Sequence, residues 1–372
     1  MKKILFSILG VSFVLLLSLR LVADDKKSVP QEMMERRQKA EVMGFFLKDP
    51  KDSKMPGTTL SIQMLNQAVG YYQKNEYELA KQALQEALKH DAENAFAYEL
   101  LGDIHNNEQN LKEAKAQYDI AYNLQPRDAL RQKMEKLGTE TKVEKNLATY
   151  REEHFIIKYH NKDQSIEGFE LRELLRQTYR TVSQDFGFYP RGKIVVLLYD
   201  EADFKQITNA PHWVSGLYDG KVRMPLKKFA FNDAELRALT AHEVTHAFVA
   251  AMSSQAAPPW INEGLAQVEE DKVKKIDLLV FNSAVKTNTL LSLDQLIGEK
   301  ALTENQSALW VSLFYQQSFH LTKYLVTRYG MFNLKKMLTE FAQGKNSDEV
   351  IRAVLQISSD RLEKEWRATF TK

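Results

Sequence analysis

The sequence predicts an α+β protein in which a helical array precedes a domain with a small mixed sheet and a helical C-terminal part. Three observations predict this fold class. Residues 61–128 repeat at an offset of 34 positions, strand patterns occur between residues 155 and 224, and residues 277–372 have the apolar spacing of several helices. Because the 372 residues exceed the usual size of one domain, we expect at least two structural units.

The composition is that of globular domains, and it excludes several kinds of site. Hydrophobic residues make up 44% and charged residues 27% of the chain, which suits packed cores. The formal net charge is +2, so the charge does not indicate binding to nucleic acid or to an anionic membrane. The chain has no cysteine, which excludes disulfides, thiolate nucleophiles and cysteine-based zinc sites.

The N-terminus has the pattern of an export signal. Lys2 and Lys3 precede an apolar run over residues 4–19, and Ala23 is a suitable last residue before cleavage. We therefore predict that residues 1–23 are a signal peptide. The rest of the chain would then work outside the cytoplasm, in the periplasm or the cell envelope.

An uncleaved membrane anchor is the alternative for this segment. Leu21 stands where cleavage favours a small residue, and residues 4–22 would then hold the protein at the membrane. Residues 24–58 are charged and interrupted by prolines, which predicts a tether.

Residues 59–142 are predicted to form repeated pairs of helices. At the 34-residue offset Ala68 aligns with Gly102, and Ala80 aligns with Ala114. Small residues at these positions let antiparallel helices approach closely, and the pattern resembles the tetratricopeptide repeat family. The resemblance implies a surface that recruits a substrate or a partner protein. A purely structural helical spacer is the alternative.

The pattern becomes mixed after the repeats. Residues 142–153 are polar and predict a linker. Residues 155–159 alternate between apolar and polar, as in a half-buried strand, and residues 193–199 form the continuous apolar run of a buried strand. Residues 167–186 between them predict a long amphipathic helix. Residues 217–224 predict a hairpin in which an Asp-Gly pair forms a type I′ turn.

The strongest functional pattern is the sequence His242-Glu243-Val244-Thr245-His246. On a helix, residues i and i+4 lie on one face, so His242 and His246 aim two imidazoles at one point. A hydrolytic zinc site needs three protein ligands and one open position. Glu263, in the following W-I-N-E-G-L-A segment, is placed to be the third ligand. Solvated side chains on a surface helix are the alternative.

These two motifs resemble those of the gluzincin metallopeptidases, and the segment from about residue 153 resembles the extracytoplasmic peptidase MA-like domains. The resemblance implies that residues 153–372 form a gluzincin-like zinc metallopeptidase domain. It implies that His242, His246 and Glu263 bind Zn²⁺ and that Glu243 is the general base. The expected reaction is hydrolysis of peptide bonds in a protein or peptide substrate by a metal-activated water.

Two features refine the expected function. The G-x-M-E-N element that binds a free amine in gluzincin aminopeptidases is absent, which favours an endopeptidase. An envelope scaffold protein, in which the repeats carry the function and the zincin-like domain is non-catalytic, is the alternative. Glu243 favours the enzyme, because a protein without catalysis has no chemical need for it.

Three further residues are candidates to stabilise the oxyanion of the reaction. Tyr315, His320 and Tyr324 follow on one predicted helix where gluzincins commonly supply an oxyanion donor, and Tyr315 is the first choice. Each of the three has core packing or an ordinary polar contact as its alternative role.

Carboxylates commonly orient histidine ligands from behind. Gln267, one turn after Glu263, stands where related enzymes often have an acid. Glu269 and Glu270 are the candidates to replace that acid. Substrate is expected to lie beside the hairpin of residues 217–224, whose alternative is an ordinary sheet edge.

Overall fold

A computed structural model describes residues 59–160, 166–208, 216–225, 233–298 and 307–370. The predicted export segment and the tether that follows it lie outside these residues. None of the described helices combines the length and the apolar character that a membrane span requires.

The described chain begins with five helices that pack as antiparallel neighbours. They are α1 (Thr59–Gln73), α2 (Tyr77–His90), α3 (Ala95–Asn107), α4 (Leu111–Leu124) and α5 (Asp128–Glu144). Ala68, Ala80 and Ala114 are fully buried between the helices. A Cβ built on Gly102 would lie 2.4 Å from the ring of Tyr118. Small residues therefore allow the close contact within the α1–α2 and α3–α4 pairs, as the repeat pattern predicts.

A five-stranded mixed sheet follows the helical array. Its strands are β1 (Leu147–Arg151), β2 (Phe155–His160), β3 (Ile194–Tyr199), β4 (Leu217–Tyr218) and β5 (Val222–Pro225). Their order is β1-β2-β3-β5-β4, with parallel pairing of β2 to β3 and β3 to β5 and antiparallel pairing at both edges. The predicted α+β class with a small mixed sheet is confirmed for the described part of the chain.

The linker predicted for residues 142–153 is wrong in part. Helix α5 continues to Glu144, and β1 then forms an edge of the sheet. Leu147 is buried, and the ring of Tyr150 stacks on Tyr159 of β2 with centroids 4.8 Å apart. The polar residues of β1 resemble a linker in the sequence because an edge strand exposes much of its surface.

The hairpin predicted for residues 217–224 is present, but its turn differs from the prediction. Tyr218 pairs with Val222, so three residues connect β4 to β5. Gly220 has a φ of 99°, whereas Asp219 is not among the residues with positive φ. A type I′ turn requires positive φ at both of its central residues, so the predicted turn type is wrong.

The two faces of the sheet have different coverings. Ile194, Val196 and Leu198 of β3 face the large core, together with α6 (Ile166–Phe186) and the helices that follow the sheet. Val195 and Leu197 face the other side, where α7 (Glu201–Thr208) and α5 pack. Both faces are therefore buried, as the continuous apolar run of β3 predicts.

The C-terminal part is helical. It contains α8 (Ala234–Ser253), α9 (Pro259–Val273), α10 (Leu279–Thr287), α11 (Leu293–Ile297), α12 (Ala308–Phe341), α13 (Ser347–Leu355) and α14 (Ser359–Arg367). Helix α12 is interrupted at Gly330, which has a φ of 78°. Helices α8 and α9 pack against each other, and α9 also packs along α12. This arrangement puts α8 between the sheet and the C-terminal helices.

Candidate metal centre

The candidate site lies where helices α8 and α9 meet. The side chain of Asp233 caps α8 by accepting a hydrogen bond from the backbone N–H of Glu235 at 2.9 Å. Pro259 begins α9, where the N–H that proline lacks would have no partner within the helix. The residues between the helices reverse the chain, so the first turns of α9 lie beside the middle of α8.

Three side chains from these helices converge. Oε2 of Glu263 lies 3.6 Å from Nε2 of His242 and 3.7 Å from Nε2 of His246. The two imidazole rings are nearly perpendicular, with centroids 4.9 Å apart. One ligand atom from each residue lies within 4.8 Å of the others. Two imidazole nitrogens and a carboxylate oxygen therefore point to one small volume.

This donor set fits a zinc ion. Ligand atoms bonded to one tetrahedral zinc at about 2.0–2.2 Å stand roughly 3.4 Å apart, close to the distances of 3.6 and 3.7 Å that separate Oε2 of Glu263 from the two Nε2 atoms. His246 and Glu263 are buried, whereas the side chain of His242 keeps 16% of its surface accessible. Three donors of this chemistry could hold one metal ion.

Each imidazole is oriented from behind by a side chain of α9. Nδ1 of His242 lies 2.8 Å from Oε2 of Glu270, and Nδ1 of His246 lies 3.0 Å from Oδ1 of Asn262. Both acceptors favour the tautomer with the proton on Nδ1, which leaves the Nε2 lone pairs for a metal. Asn262 was not identified from the sequence, although it directly precedes Glu263.

Glu270, rather than Glu269, takes the orienting role that the sequence left open. Oε1 of Glu269 instead accepts a hydrogen bond from Lys272 at 2.7 Å. Burial raises the pKa of Glu269 to about 7. Gln267 donates to the backbone carbonyls of Glu263, at 3.3 Å, and of Tyr315, at 3.1 Å. It therefore supports the helix that carries Glu263.

The electrostatics of the metal-free site favour a protonated His242. Burial alone lowers the pKa of this imidazole, but the neighbouring carboxylates of Glu263, Glu270 and Glu243 raise it well above its usual value. A metal must displace this proton, so metal binding and proton release are coupled.

Glu243 directly follows His242 on α8, and its charge acts on that imidazole. Its carboxylate is buried, and a Cβ built on Gly216 would lie 2.4 Å from its Oε1. The backbone at residue 216 therefore approaches the carboxylate so closely that a larger residue there would displace the carboxylate or the backbone. Tyr218, two residues further on, stacks on His246 with ring centroids 6.2 Å apart. The sequence placed Tyr218 in the hairpin beside the substrate but did not indicate its contact with His246 or a role for Gly216, because these contacts depend on tertiary structure.

A second glycine fixes the position of Glu263. A Cβ on Gly264 would lie 2.1 Å from Oγ1 of Thr322 and 2.6 Å from the carbonyl oxygen of Ser318. Helix α9 thus contacts α12 through backbone at this point, and the glycine permits that contact.

The three candidate oxyanion donors occupy different surroundings. Nδ1 of His320 accepts a hydrogen bond from Nε1 of Trp366 at 2.9 Å, and its ring stacks on Phe281. His320 therefore has the core-packing role that the sequence left open. Tyr324 packs edge-on against Tyr329.

Tyr315 is the candidate that adjoins helix α9, since its carbonyl oxygen accepts from Gln267. Its ring packs edge-on against Phe314, with centroids 5.9 Å apart. This hydrogen bond places the backbone of Tyr315 beside α9, and its role as the oxyanion donor stays a prediction.

Comparison with known families adds an independent finding. The family model of the Peptidase MA superfamily matches residues 182–372, which is more than half of the chain. The match begins inside α6 and includes helices α8, α9 and α12. All four candidate residues therefore lie within it, whereas the helical array and the first two strands precede it. No curated protein matches the chain.

Proposed function

The chain belongs to the Peptidase MA superfamily, and we propose that it is a zinc-dependent endopeptidase of the gluzincin type. One observation carries the proposal. Ligand atoms of His242, His246 and Glu263 lie within 4.8 Å of one another, and the buried carboxylate of Glu243 follows His242 on the same helix. This combination provides a metal-binding set and a general base at one place.

The candidate residues have different roles in peptide hydrolysis. A zinc ion held by His242, His246 and Glu263 would supply Lewis-acid activation of a water and of the scissile carbonyl. Glu243 accepts a proton as the water oxygen bonds to the carbonyl carbon. The same carboxyl group then returns the proton to the amine nitrogen as the C–N bond breaks. Tyr315 is the candidate donor to the oxyanion.

The sheet supports an extended polypeptide as substrate. Strand β4 is the edge of the sheet on the side of helix α8, and Tyr218 within it stacks on His246. An edge strand pairs with an extended peptide through backbone hydrogen bonds, which accept many side-chain sequences. A polypeptide bound along β4 would pass beside the candidate metal centre.

The proposal includes a location and a role for the helical array. The export pattern of residues 1–23, or an anchor over residues 4–22, favours action in the periplasm or cell envelope. Cell fractionation of the full-length protein tests this location. The tetratricopeptide-like pattern favours recruitment of substrate or of a protein partner by the array. Cross-linking of the intact Glu243→Gln protein to substrate tests that role.

The decisive experiment combines metal analysis with cleavage of an unfolded protein. We expect the purified protein to hold about one zinc per chain and to cleave a reduced, alkylated protein. Glu243→Gln should retain the zinc and lose the cleavage, because the amide is isosteric but cannot accept the proton. A wild-type protein without zinc contradicts the proposal. Zinc binding without cleavage favours the scaffold alternative.

A further inference from the structure

A cluster of buried charges joins helix α5 of the array to the β4–β5 hairpin. Oε1 of Glu140 accepts a hydrogen bond from Arg223 at 2.5 Å, and its Oε2 accepts one from Lys221 at 2.8 Å. Asp219 accepts from Arg223 at 3.1 Å and from Lys136 at 2.9 Å. Glu140 and Arg223 are each only 1% exposed, so these contacts form in a buried interface.

Polar side chains of the neighbouring strands continue the cluster. Glu144 of α5 accepts hydrogen bonds from Lys158 of β2, at 2.9 Å, and from the hydroxyl of Tyr199 of β3, at 3.0 Å. Arg223 of β5 donates to the same hydroxyl at 2.8 Å. Three adjacent strands are thereby tied to one helix of the array.

Such a cluster is better suited to fixing geometry than to adding stability. Burial of charges is costly, and hydrophobic residues of similar volume would often stabilise an interface equally well. A fully paired cluster, however, permits only one arrangement of its members. Burial alone would raise the pKa of Glu140. The charges of Arg223 and Lys221 outweigh this effect and lower the pKa to about 2. Glu140 therefore stays ionised at physiological pH.

The loops of the array also reach the hairpin and the segment before β3. Asn106, at the end of α3, accepts a hydrogen bond from Lys221 at 2.9 Å. Arg191 pairs with Glu76, and a Cβ built on Gly192 would lie 2.9 Å from Cβ of Asn75. The array thus contacts the hairpin and the loop beside it through three separate segments.

The other side of the hairpin faces the candidate metal centre. Tyr218 stacks on His246, and the backbone at Gly216 lies against the carboxylate of Glu243. Lys221 and Arg223 point to the array instead, because side chains of a strand alternate between its two faces. The hairpin is therefore held between the array and helix α8.

We propose that the helical array is a structural part of the active site. The array holds the β4–β5 hairpin at the distance from α8 that substrate binding along β4 requires. This inference rests on the proposed peptidase function. The positioning residues in this account are Lys136 and Asn106, which contact the hairpin, and Lys221, which belongs to it. They act through the hairpin and not through contact with the metal-binding side chains.

Substitution of Lys136 by methionine tests the inference. Lys136 is partly exposed, so its substitution should leave the fold intact. The hairpin, however, loses the ion pair between Asp219 and Lys136 of α5. We expect the KM for a reduced, alkylated protein to rise about three- to tenfold, with zinc content unchanged. Amide hydrogen exchange of residues 216–225 should quicken. Lys136→Arg should restore both values.

The matched control is Lys115→Met on helix α4. Lys115 forms an exposed pair with Asp119 and does not contact the hairpin. If Lys136→Met quickens hairpin exchange but leaves KM unchanged, the inference is overturned while the proposed function stands. The same holds if Lys115→Met raises KM as much as Lys136→Met does. A zinc-free wild-type protein without cleavage would instead overturn the proposed function on which the inference rests.

Discussion

Oε2 of Glu270 lies 2.8 Å from Nδ1 of His242 and is the carboxylate that orients this imidazole. It lies seven residues after Glu263, so the two side chains are on the same face of α9 two turns apart. Gln267, one turn after Glu263, instead binds backbone carbonyls. The chain thus supplies its orienting acid one turn after Gln267.

The first prediction concerns this acid. Glu270→Gln should weaken zinc binding about 10- to 100-fold, because an orienting partner of a histidine ligand typically has an effect of that size. Titration with a zinc-chelating dye measures the affinity. Glu269→Gln is the matched control, since Glu269 pairs with Lys272 instead of a histidine. Equal affinities of the two variants would contradict the orienting role of Glu270.

The second prediction concerns the contact between Gly216 and Glu243. Gly216→Ala should lower kcat about 100-fold while zinc remains bound, because a general base displaced by about 1 Å loses its alignment with the reacting water. The added Cβ would lie 2.4 Å from Oε1 of Glu243, so the carboxylate or the hairpin must move.

Steady-state kinetics and metal analysis of the same preparation test the effect of Gly216→Ala. A variant that loses zinc would point to general disruption of the site. A variant with wild-type kcat would show that the space at residue 216 is not needed for catalysis.

The local part of the site is predictable from the sequence. Helical periodicity alone brings His242 and His246 to one face, and the spacing of the second motif places Glu263 near them. Their convergence agrees with this expectation, while their role as zinc ligands stays a prediction. The choice between Glu269 and Glu270 was not predictable, because adjacent helical residues point about 100° apart and the rotation of α9 relative to α8 depends on tertiary packing.

The sheet, like the site, is predictable from the sequence only in part. The apolar run of β3 predicts a buried strand. In the sequence, however, the charged residues Lys158, Lys221 and Arg223 look like side chains on a solvent-exposed face of the sheet. Only the fold brings Glu140 and Glu144 over that face. Buried charges with distant partners have no local pattern, so the cluster and the role of α5 in it could not be inferred from the sequence.

The third prediction concerns the helix contact at Gly264. Gly264→Ala should lower the free energy of unfolding by about 1–3 kcal/mol and weaken zinc binding, because an overpacked contact forces α9 away from α12. Thr322→Ala in the same chain should recover part of the loss, since the added Cβ meets Oγ1 of Thr322 at 2.1 Å. Urea unfolding of the single and double variants measures the recovery.

Gly138 in helix α5 supplies the control for this substitution. A Cβ at Gly138 would meet no atom within 4 Å. Gly138→Ala should therefore stabilise the protein by about 0.5–1 kcal/mol through helix propensity. Equal destabilisation of both alanine variants would contradict the steric explanation at Gly264.

The fourth prediction concerns the buried imidazole of His320. Burial, assisted by the charge of Lys323, lowers its pKa to about 4. The unfolded chain, with a histidine pKa of about 6.5, therefore binds more protons than the folded protein between pH 6.5 and 4. The stabilising contribution is complete above about pH 6.5 and is lost as the pH falls toward 4.

Urea unfolding of wild type and of His320→Gln at pH 7 and pH 5 isolates this contribution from the carboxylates that titrate in the same range. The glutamine retains an acceptor for Nε1 of Trp366 but does not titrate. Between the two pH values the wild type should lose about 1–2 kcal/mol more than the variant, a value reduced from the full shift because the ring is partly exposed. Parallel losses in the two proteins would mean that His320 titrates alike in the folded and unfolded states, and the core role assigned to its neutral form would then be wrong.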